Sequence, residues 1–368
     1  MKSGRTLSQL AAELERQSET KRDFKAPTDK LEVVEVSGTS HLSTKPETAL
    51  ALRMKTNGHD EQFRINDLAH EQIAQHVGIP QKYYDRMRAE APDMLARDVN
   101  QWLRKNPQTR LVRTLDGRAR AFLSNRYRTI DNYEVAEAIL PVLVDQKAGL
   151  RVESCEVTER RLYLKVINPR LEATIQHSER KVGMIVQSGI SISNSEVGLH
   201  AFRVDPLLFI LACLNGARIP AAGMRKYHVG RQTADAESAF EVFADDTRKA
   251  DDHVLMLKMR DLVKAAFDEV KFREMAAQMS ATTDHKIERS ADEVVDGVQE
   301  MFGLPSTLHT GILNELVKAG DLSQWGLSNA VTALANTTAD YEAATQLEGV
   351  GGEILTLSRA QWRELAAA

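Results

Sequence analysis

Cysteine is nearly absent. The 368-residue chain has two, Cys155 and Cys213, far apart and with no Cys-x-x-Cys pair. Two thiolates cannot complete a four-cysteine tetrahedral zinc site, so both read as small buried hydrophobes of a reducing compartment. Aromatic residues make up only 5% of the chain, which leaves the core to Leu, Val, Ile, Ala and Met. There is no overall positive charge either: the formal net charge is −4, so any nucleic-acid partner must be met by a local cluster. The longest apolar run, Leu207 to Leu214, is far short of the roughly 20 residues of a membrane span. The opening MKSGRTLSQLAAELERQ lacks the apolar segment of a secretory signal. No Walker loop, GxSxG elbow, HExxH or paired-glycine dinucleotide fingerprint occurs, and enzymes built on those motifs lose their support. These absences lead to the expectation of a cytoplasmic protein with no membrane contact.

What is present alternates between helical and strand-like patterning. Leu7, Leu10, Ala11 and Leu14 give a short amphipathic helix, and the polar stretch Ser18 to Lys30 reads as a linker. Leu31 to Val36 and Ala49 to Met54 are the first strands. Ile65 onward is helical, with Asn66 as cap, Gly78 as stop and Pro80 opening the next helix. A third helix runs from Pro92 to Leu103. Leu111 to Leu115, the turn Asp116-Gly117, and Arg118 to Leu123 form a hairpin, since Asp-Gly tolerates the positive φ of a tight turn. A helix carrying Val135, Ala138, Ile139 and Val142 follows. Then come a hairpin of Val152 to Val157 with Arg161 to Ile167, and a strand from Met184 to Ile192. Ala239 to Met279 reads as one long helix or a hairpin of helices, followed by more helices to Leu365. The fold class expected is α+β, a hairpin-rich antiparallel sheet with helices followed by a helical C-terminal part. The division is residues 1–30, helical leader and linker; 31–233, core domain; and 234–368, helical region.

Charge concentrates from Arg104 to Arg128, where Arg104, Lys105, Arg110, Arg113, Arg118, Arg120, Arg126 and Arg128 are opposed only by Asp116. Strand alternation places Arg118 and Arg120 on one face. Arginine suits bidentate phosphate contacts, and Phe122 and Tyr127 offer stacking surfaces, so this hairpin is a candidate nucleic-acid surface. The competing reading is a solvated face, or salt bridges to the acidic stretch Ala234 to Glu300.

The second dense region is Met184 to Arg231. Asn194, Glu196 and Gly198 sit in the turn Asn194-Ser195-Glu196-Val197-Gly198, and Asn215-Gly216 reads as a turn or helix C-cap. Arg218, Arg225, Lys226, His228 and Arg231 extend the basic surface. Turn amides with these cations could hold an anion; equally, the turn residues serve to fix a sheet-to-helix connection. Glu196, His200, His228 and Cys213 match no metal-ligand spacing, so neither a metal nor a cofactor is expected.

Five stretches together carry a resemblance: Phe122-Leu123-Ser124-Asn125-Arg126-Tyr127-Arg128, Asn194-Ser195-Glu196-Val197-Gly198, Cys213-Leu214-Asn215-Gly216, Arg225 to Arg231, and Trp325-Gly326-Leu327-Ser328-Asn329-Ala330-Val331-Thr332. In this order, over about Ala91 to Leu347, they resemble the phage/plasmid-like protein family of unknown function (domain of unknown function 932). The resemblance implies a bacterial or phage cytoplasmic setting and brings no activity or catalytic residues with it. Genes of mobile elements often serve replication or recombination. The leading expectation is therefore a non-enzymatic, homo-oligomeric nucleic-acid-binding protein that favours single-stranded DNA and anneals it. Arg113, Arg118, Arg120, Arg126, Arg128, Arg225, Lys226, His228 and Arg231 would hold phosphates, and Phe122 or Tyr127 would stack bases. One alternative is an enzyme or anion-binding protein for a nucleotide or phosphorylated ligand at Glu196, His200, Asn215 and His228. Another is an anti-defence factor that binds a host protein.

Overall fold

The computed structural model describes residues 1–39, 46–56, 59–127, 129–145, 149–176, 183–200, 202–211, 214–220 and 245–367. They form an α+β fold with two sheets and a helical C-terminal part. None of the described helices is long and apolar enough to cross a membrane.

The first sheet contains β1 (Arg22–Pro27), β2 (Leu31–Thr39), β3 (Pro46–Thr56), β4 (His59–Ile65), β5 (Thr109–Leu115) and β6 (Arg118–Ser124), in the order β1-β5-β6-β4-β3-β2. All neighbours are antiparallel except β4 and β6, which run parallel with Arg64 opposite Arg118 and Ile65 opposite Ala119. Strand alternation puts Leu31, Val33, Leu50, Leu52, Met54, Phe63 and Ile65 on one face. There they pack on Ala69, Ile73, Tyr84, Leu95, Val99 and Leu103 of α2 (Asp67–Val77), α3 (Gln81–Glu90) and α4 (Pro92–Lys105). Asn66 caps α2 by accepting from the Ala69 amide at 2.9 Å, and Gly78 at φ 73° ends it, as the sequence predicts. The Asp116-Gly117 turn closes β5–β6 with both residues at positive φ, 51° and 71°.

Four strands lie where the sequence predicts none, two in this sheet and two, Arg203–Ile210 and Asn215–Arg218, in the second. Arg22–Pro27, read as linker, is the edge strand β1 paired to β5, and the polar HDEQFRI segment is β4. Each offers only two core-facing apolar residues, Phe24 with Ala26 and Phe63 with Ile65, too few to register as a period-2 signal.

The second sheet is antiparallel throughout: β7 (Arg151–Val157), β8 (Leu162–Ile175), β9 (Met184–Asn194), β10 (Arg203–Ile210) and β11 (Asn215–Arg218), in the order β11-β10-β9-β8-β7. Leu162, Leu164, Val166, Ile190, Ile192 and Val204 bury one face against α1 (Leu7–Thr20), α5 (Asn132–Leu143) and α6 (Asp245–Ala265). Burying each such side chain contributes about 1.5–3 kcal/mol. The C-terminal helices are α7 (Glu269–Ala281), α8 (Ala291–Phe302), α9 (His309–Ala319), α10 (Gln324–Thr337), α11 (Tyr341–Leu355) and α12 (Arg359–Ala366). The stretch predicted as a long helix or helical hairpin is two helices in different cores, α6 packing through Leu255, Met259 and Val263 and α7 through Phe272, Ala276 and Met279, with Asp268 restarting the chain by accepting from the Lys271 amide at 3.0 Å; residues 239–244 lie outside the described ones. On the second sheet's other face the residue rows are Tyr163–Ser193–Arg203 and Lys165–Ser191–Asp205. That face is covered by α11.

Candidate functional site

The arginine hairpin is largely interior. Arg113 is 0% exposed and bonded on every side: Nε and Nη2 donate to Asp23 at 2.9 Å, Nη2 to Asp131 at 2.5 Å, and Nη1 to the Glu196 carbonyl at 2.8 Å. Burial opposes the Arg113 charge, but Asp23 and Asp131 outweigh it and raise its pKa. Burial likewise pushes the Asp131 carboxyl up, and Arg113 and Lys21 overcome it and hold the group below its ordinary value. A β-bulge leaves Arg120 opposite no residue, since Arg113 faces Ala121 and Thr114 faces Ala119. Arg120, 7% exposed, donates to Glu196 Oε2 at 2.6 Å. Phe122 is buried in the first core, and the Tyr127 hydroxyl donates to the Ser195 carbonyl at 3.0 Å.

These positions correct the expectation that Arg113, Arg120 and Phe122 form a phosphate-and-stacking surface. For Arg113 and Arg120 they also correct the alternative of salt bridges to the acidic C-terminal half. The partners are Asp23, Asp131 and Glu196, carboxylates that a buried guanidinium requires. Arg118 and Arg126 are exposed. Arg128, Cys213, Arg225, Lys226, His228 and Arg231 lie outside the described residues.

The Asn194–Gly198 turn is the other half of this joint. The Glu196 carboxylate also accepts from the Asn132 amide at 2.5 Å. Asn194 Nδ2 donates to the Ile130 carbonyl at 3.0 Å and to Asn132 Oδ1 at 2.9 Å. Gln72 Nε2 donates to the Val197 carbonyl at 2.8 Å, and Gly198 takes φ 83° with Leu123 packed beside it. The turn therefore joins the two sheets. Asn215 and Gly216, predicted as a turn or C-cap, begin β11 instead; Leu214 carries the positive φ, 53°. The Asn215 side-chain oxygen accepts from Asn336 of α10 at 2.7 Å.

A cleft of about 820 Å³ opens between the β8–β11 face and the first turns of α11. Its lining includes Arg160, Arg161, Arg203, Arg218, His200 and Tyr163. Of the three acids in its lining, Glu159 has no ion pair among the described residues, while Glu342 and Asp340 are engaged. Glu342 accepts from the Tyr163 hydroxyl at 2.6 Å and Thr158 at 2.7 Å and pairs with Arg161, while Asp340 caps α11 through the Ala343 amide at 2.7 Å. Burial, followed by the bond to Glu342, raises the Tyr163 pKa and keeps it a neutral donor. Asp205 alone serves two arginines, with Arg203 at 3.1 Å and Arg218 at 3.8 Å.

Below the cleft lies a layer of buried polar groups. Lys165 and Glu348, 0% and 1% exposed, form an ion pair at 2.6 Å, and the Lys165 ammonium also sits 4.7 Å from the centre of the Tyr341 ring. Burial lowers the Lys165 pKa, with Glu348 opposing. Ser191 Oγ, Thr345 Oγ1 and Glu348 Oε1 are buried without hydrogen-bond partners among the described residues. Buried polar groups are nearly always satisfied, so several orphans in one layer mark a place where folding alone did not choose the residues.

Of the residues grouped by sequence as an anion pocket, His200 lines this cleft, while Glu196 belongs to the inter-sheet joint and Asn215 to the α10 contact. Sequence reasoning placed Arg218 in the second basic stretch but missed Arg160, Arg161, Arg203, Lys165 and Glu348. Two signals were present: a lysine inside the apolar strand Leu162-Tyr163-Leu164-Lys165-Val166-Ile167, and a glutamate in Leu347-Glu348-Gly349-Val350-Gly351-Gly352. A charge in an apolar run needs a partner of opposite sign. No family model, curated protein or solved structure matches this chain.

Proposed function

We propose that the protein binds a phosphate-bearing ligand of nucleotide size in the cleft between β8–β11 and α11. The carrying observation is that Arg203 and Arg218 share the single carboxylate of Asp205 as their ion-pair partner among the described residues, so two guanidinium groups at the mouth are held by one acid. Guanidinium groups suit bidentate phosphate contacts, and a half-buried one gains more from such a bond than one in open water. The first turn of α11 forms one wall, where its dipole favours an anion. The cleft volume of about 820 Å³ fits a small-molecule site, about 300–1,000 Å³. Tyr163, His200 and the Thr345 hydroxyl supply polar groups for the rest of the ligand. The phage or plasmid setting and the bacterial cytoplasm implied by the family resemblance belong to the same proposal.

Calorimetric titration with nucleoside monophosphates and diphosphates, beside the matching nucleosides, tests it. The phosphorylated compounds should bind and the nucleosides should bind at least tenfold more weakly, about 1.4 kcal/mol, which one charge-assisted hydrogen bond accounts for. Equal binding of both sets, or none by either, contradicts the proposal.

A further inference from the structure

The first sheet has a second face, opposite α2–α4, where β4 and β6 run side by side. Arg64 and Arg118 are direct partners across that pair, and both are exposed. Neither has an ion-pair partner among the described residues, because each nearby acid is held by another cation. Asp116 pairs with Arg16 at 2.7 Å, Asp60 pairs with Arg53, and Glu32 pairs with Lys55 at 3.4 Å. Gln62 and Lys55 are exposed beyond them on β4 and β3. Like charges directly opposite on neighbouring strands are destabilising. Strands lie about 4.8 Å apart, so two arginines can grip one phosphate between them or two in succession.

We infer that the exposed surface along β3, β4 and the start of β6 binds the phosphate backbone of a single-stranded nucleic acid. The Asn194–Gly198 turn covers the β5–β6 part of this face, burying Leu111, Ala121 and Leu123 on Val197, while Arg64, Arg118, Gln62 and Lys55 are exposed beyond it, where an extended strand can lie across them. Duplex readout does not fit, because a major groove about 12 Å wide admits a helix or a two-stranded ribbon, not the face of a six-stranded sheet. Among the described residues the large exposed aromatics are Tyr83, Trp102 and Tyr133, all on helices, so this face holds the backbone without reading bases.

Fluorescence anisotropy of a labelled oligothymidylate, titrated with the full chain over a salt series, tests the inference. Binding should be measurable at low salt. Arg64→Ala with Arg118→Ala should weaken it about tenfold or more and flatten the logarithmic salt slope by about 1.4, at about 0.7 per lost phosphate contact. The same substitutions should leave the melting temperature unchanged or raise it, since they relieve a like-charge pair; this guards against misfolding as the cause. An Arg203→Ala, Arg218→Ala chain should bind the oligonucleotide as the parent does. Absence of binding at low salt, an unchanged affinity in the Arg64/Arg118 chain, or loss in the cleft chain alone overturns the inference. So does displacement by millimolar inorganic phosphate, which would assign the pair to a free anion, or a preference for duplex of equal length.

Discussion

At the scale of the residue, the strongest electrostatics stabilise the fold. Removing one partner of a buried ion pair leaves an uncompensated charge, at a cost of about 3–5 kcal/mol. Glu196→Ala strands Arg120 and also takes an acceptor from the Asn132 amide, so chemical denaturation should show a loss in that range. Arg126→Ala, on an exposed side chain, should change stability by less than about 0.5 kcal/mol. His70 gives a pH prediction. It is buried beside the Tyr84 hydroxyl at 2.9 Å, and burial, helped by the Arg88 charge, lowers its pKa to about 4. Between the ordinary value of 6.5 and about 4, the unfolded chain takes up a proton that the folded chain refuses. The contribution is therefore full above pH 6.5 and is lost as pH falls toward 4, by about 3 kcal/mol at most. His70→Gln should flatten the stability profile across that window in denaturation curves; a profile unchanged by the substitution would mean His70 titrates normally.

At the scale of the element, α11 has to lie close to β11 for the cleft to exist. A Cβ at Gly352 would fall inside contact distance of the Arg218 carbonyl, and one at Gly349 would meet the Arg218 guanidinium at 2.6 Å. Helix propensity favours alanine over glycine by about 1 kcal/mol. Gly352→Ala should nonetheless destabilise, by about 1–3 kcal/mol, because rigid backbone must yield. Gly349→Ala meets only the end of a flexible side chain; it should leave the melting temperature nearly unchanged while weakening phosphate-ligand binding. The elements differ in how far their sequence reveals them. The Asp116-Gly117 hairpin, the Asn66 and Gly78 helix ends, and the Val152–Ile167 hairpin are local chemistry and are legible. β1 and β4 depend on neighbours that supply their hydrogen bonds, and their own composition is nearly silent.

At the scale of the molecule, misreading the arginine hairpin has a physical origin. One-sided charge in sequence need not be one-sided in space: Arg113 meets Asp23 from 90 residues away, and Arg120 meets Glu196 from 76. The reverse holds for the cleft, whose arginines are scattered through three segments and converge only when β10, β11 and α11 meet. The Asn194–Gly198 turn was legible as special backbone, and its role as a joint became visible only with both sheets in place. The central claim is thus that the cleft, rather than the hairpin, receives the phosphate of a nucleotide-sized ligand. Its most direct test is calorimetric titration of one nucleoside diphosphate into three chains: parent, Arg203→Ala with Arg218→Ala, and Arg118→Ala. The account predicts at least a tenfold loss of affinity, about 1.4 kcal/mol, in the cleft chain and parent affinity in the Arg118→Ala chain. Parent affinity in the cleft chain, or a loss confined to Arg118→Ala, would contradict it.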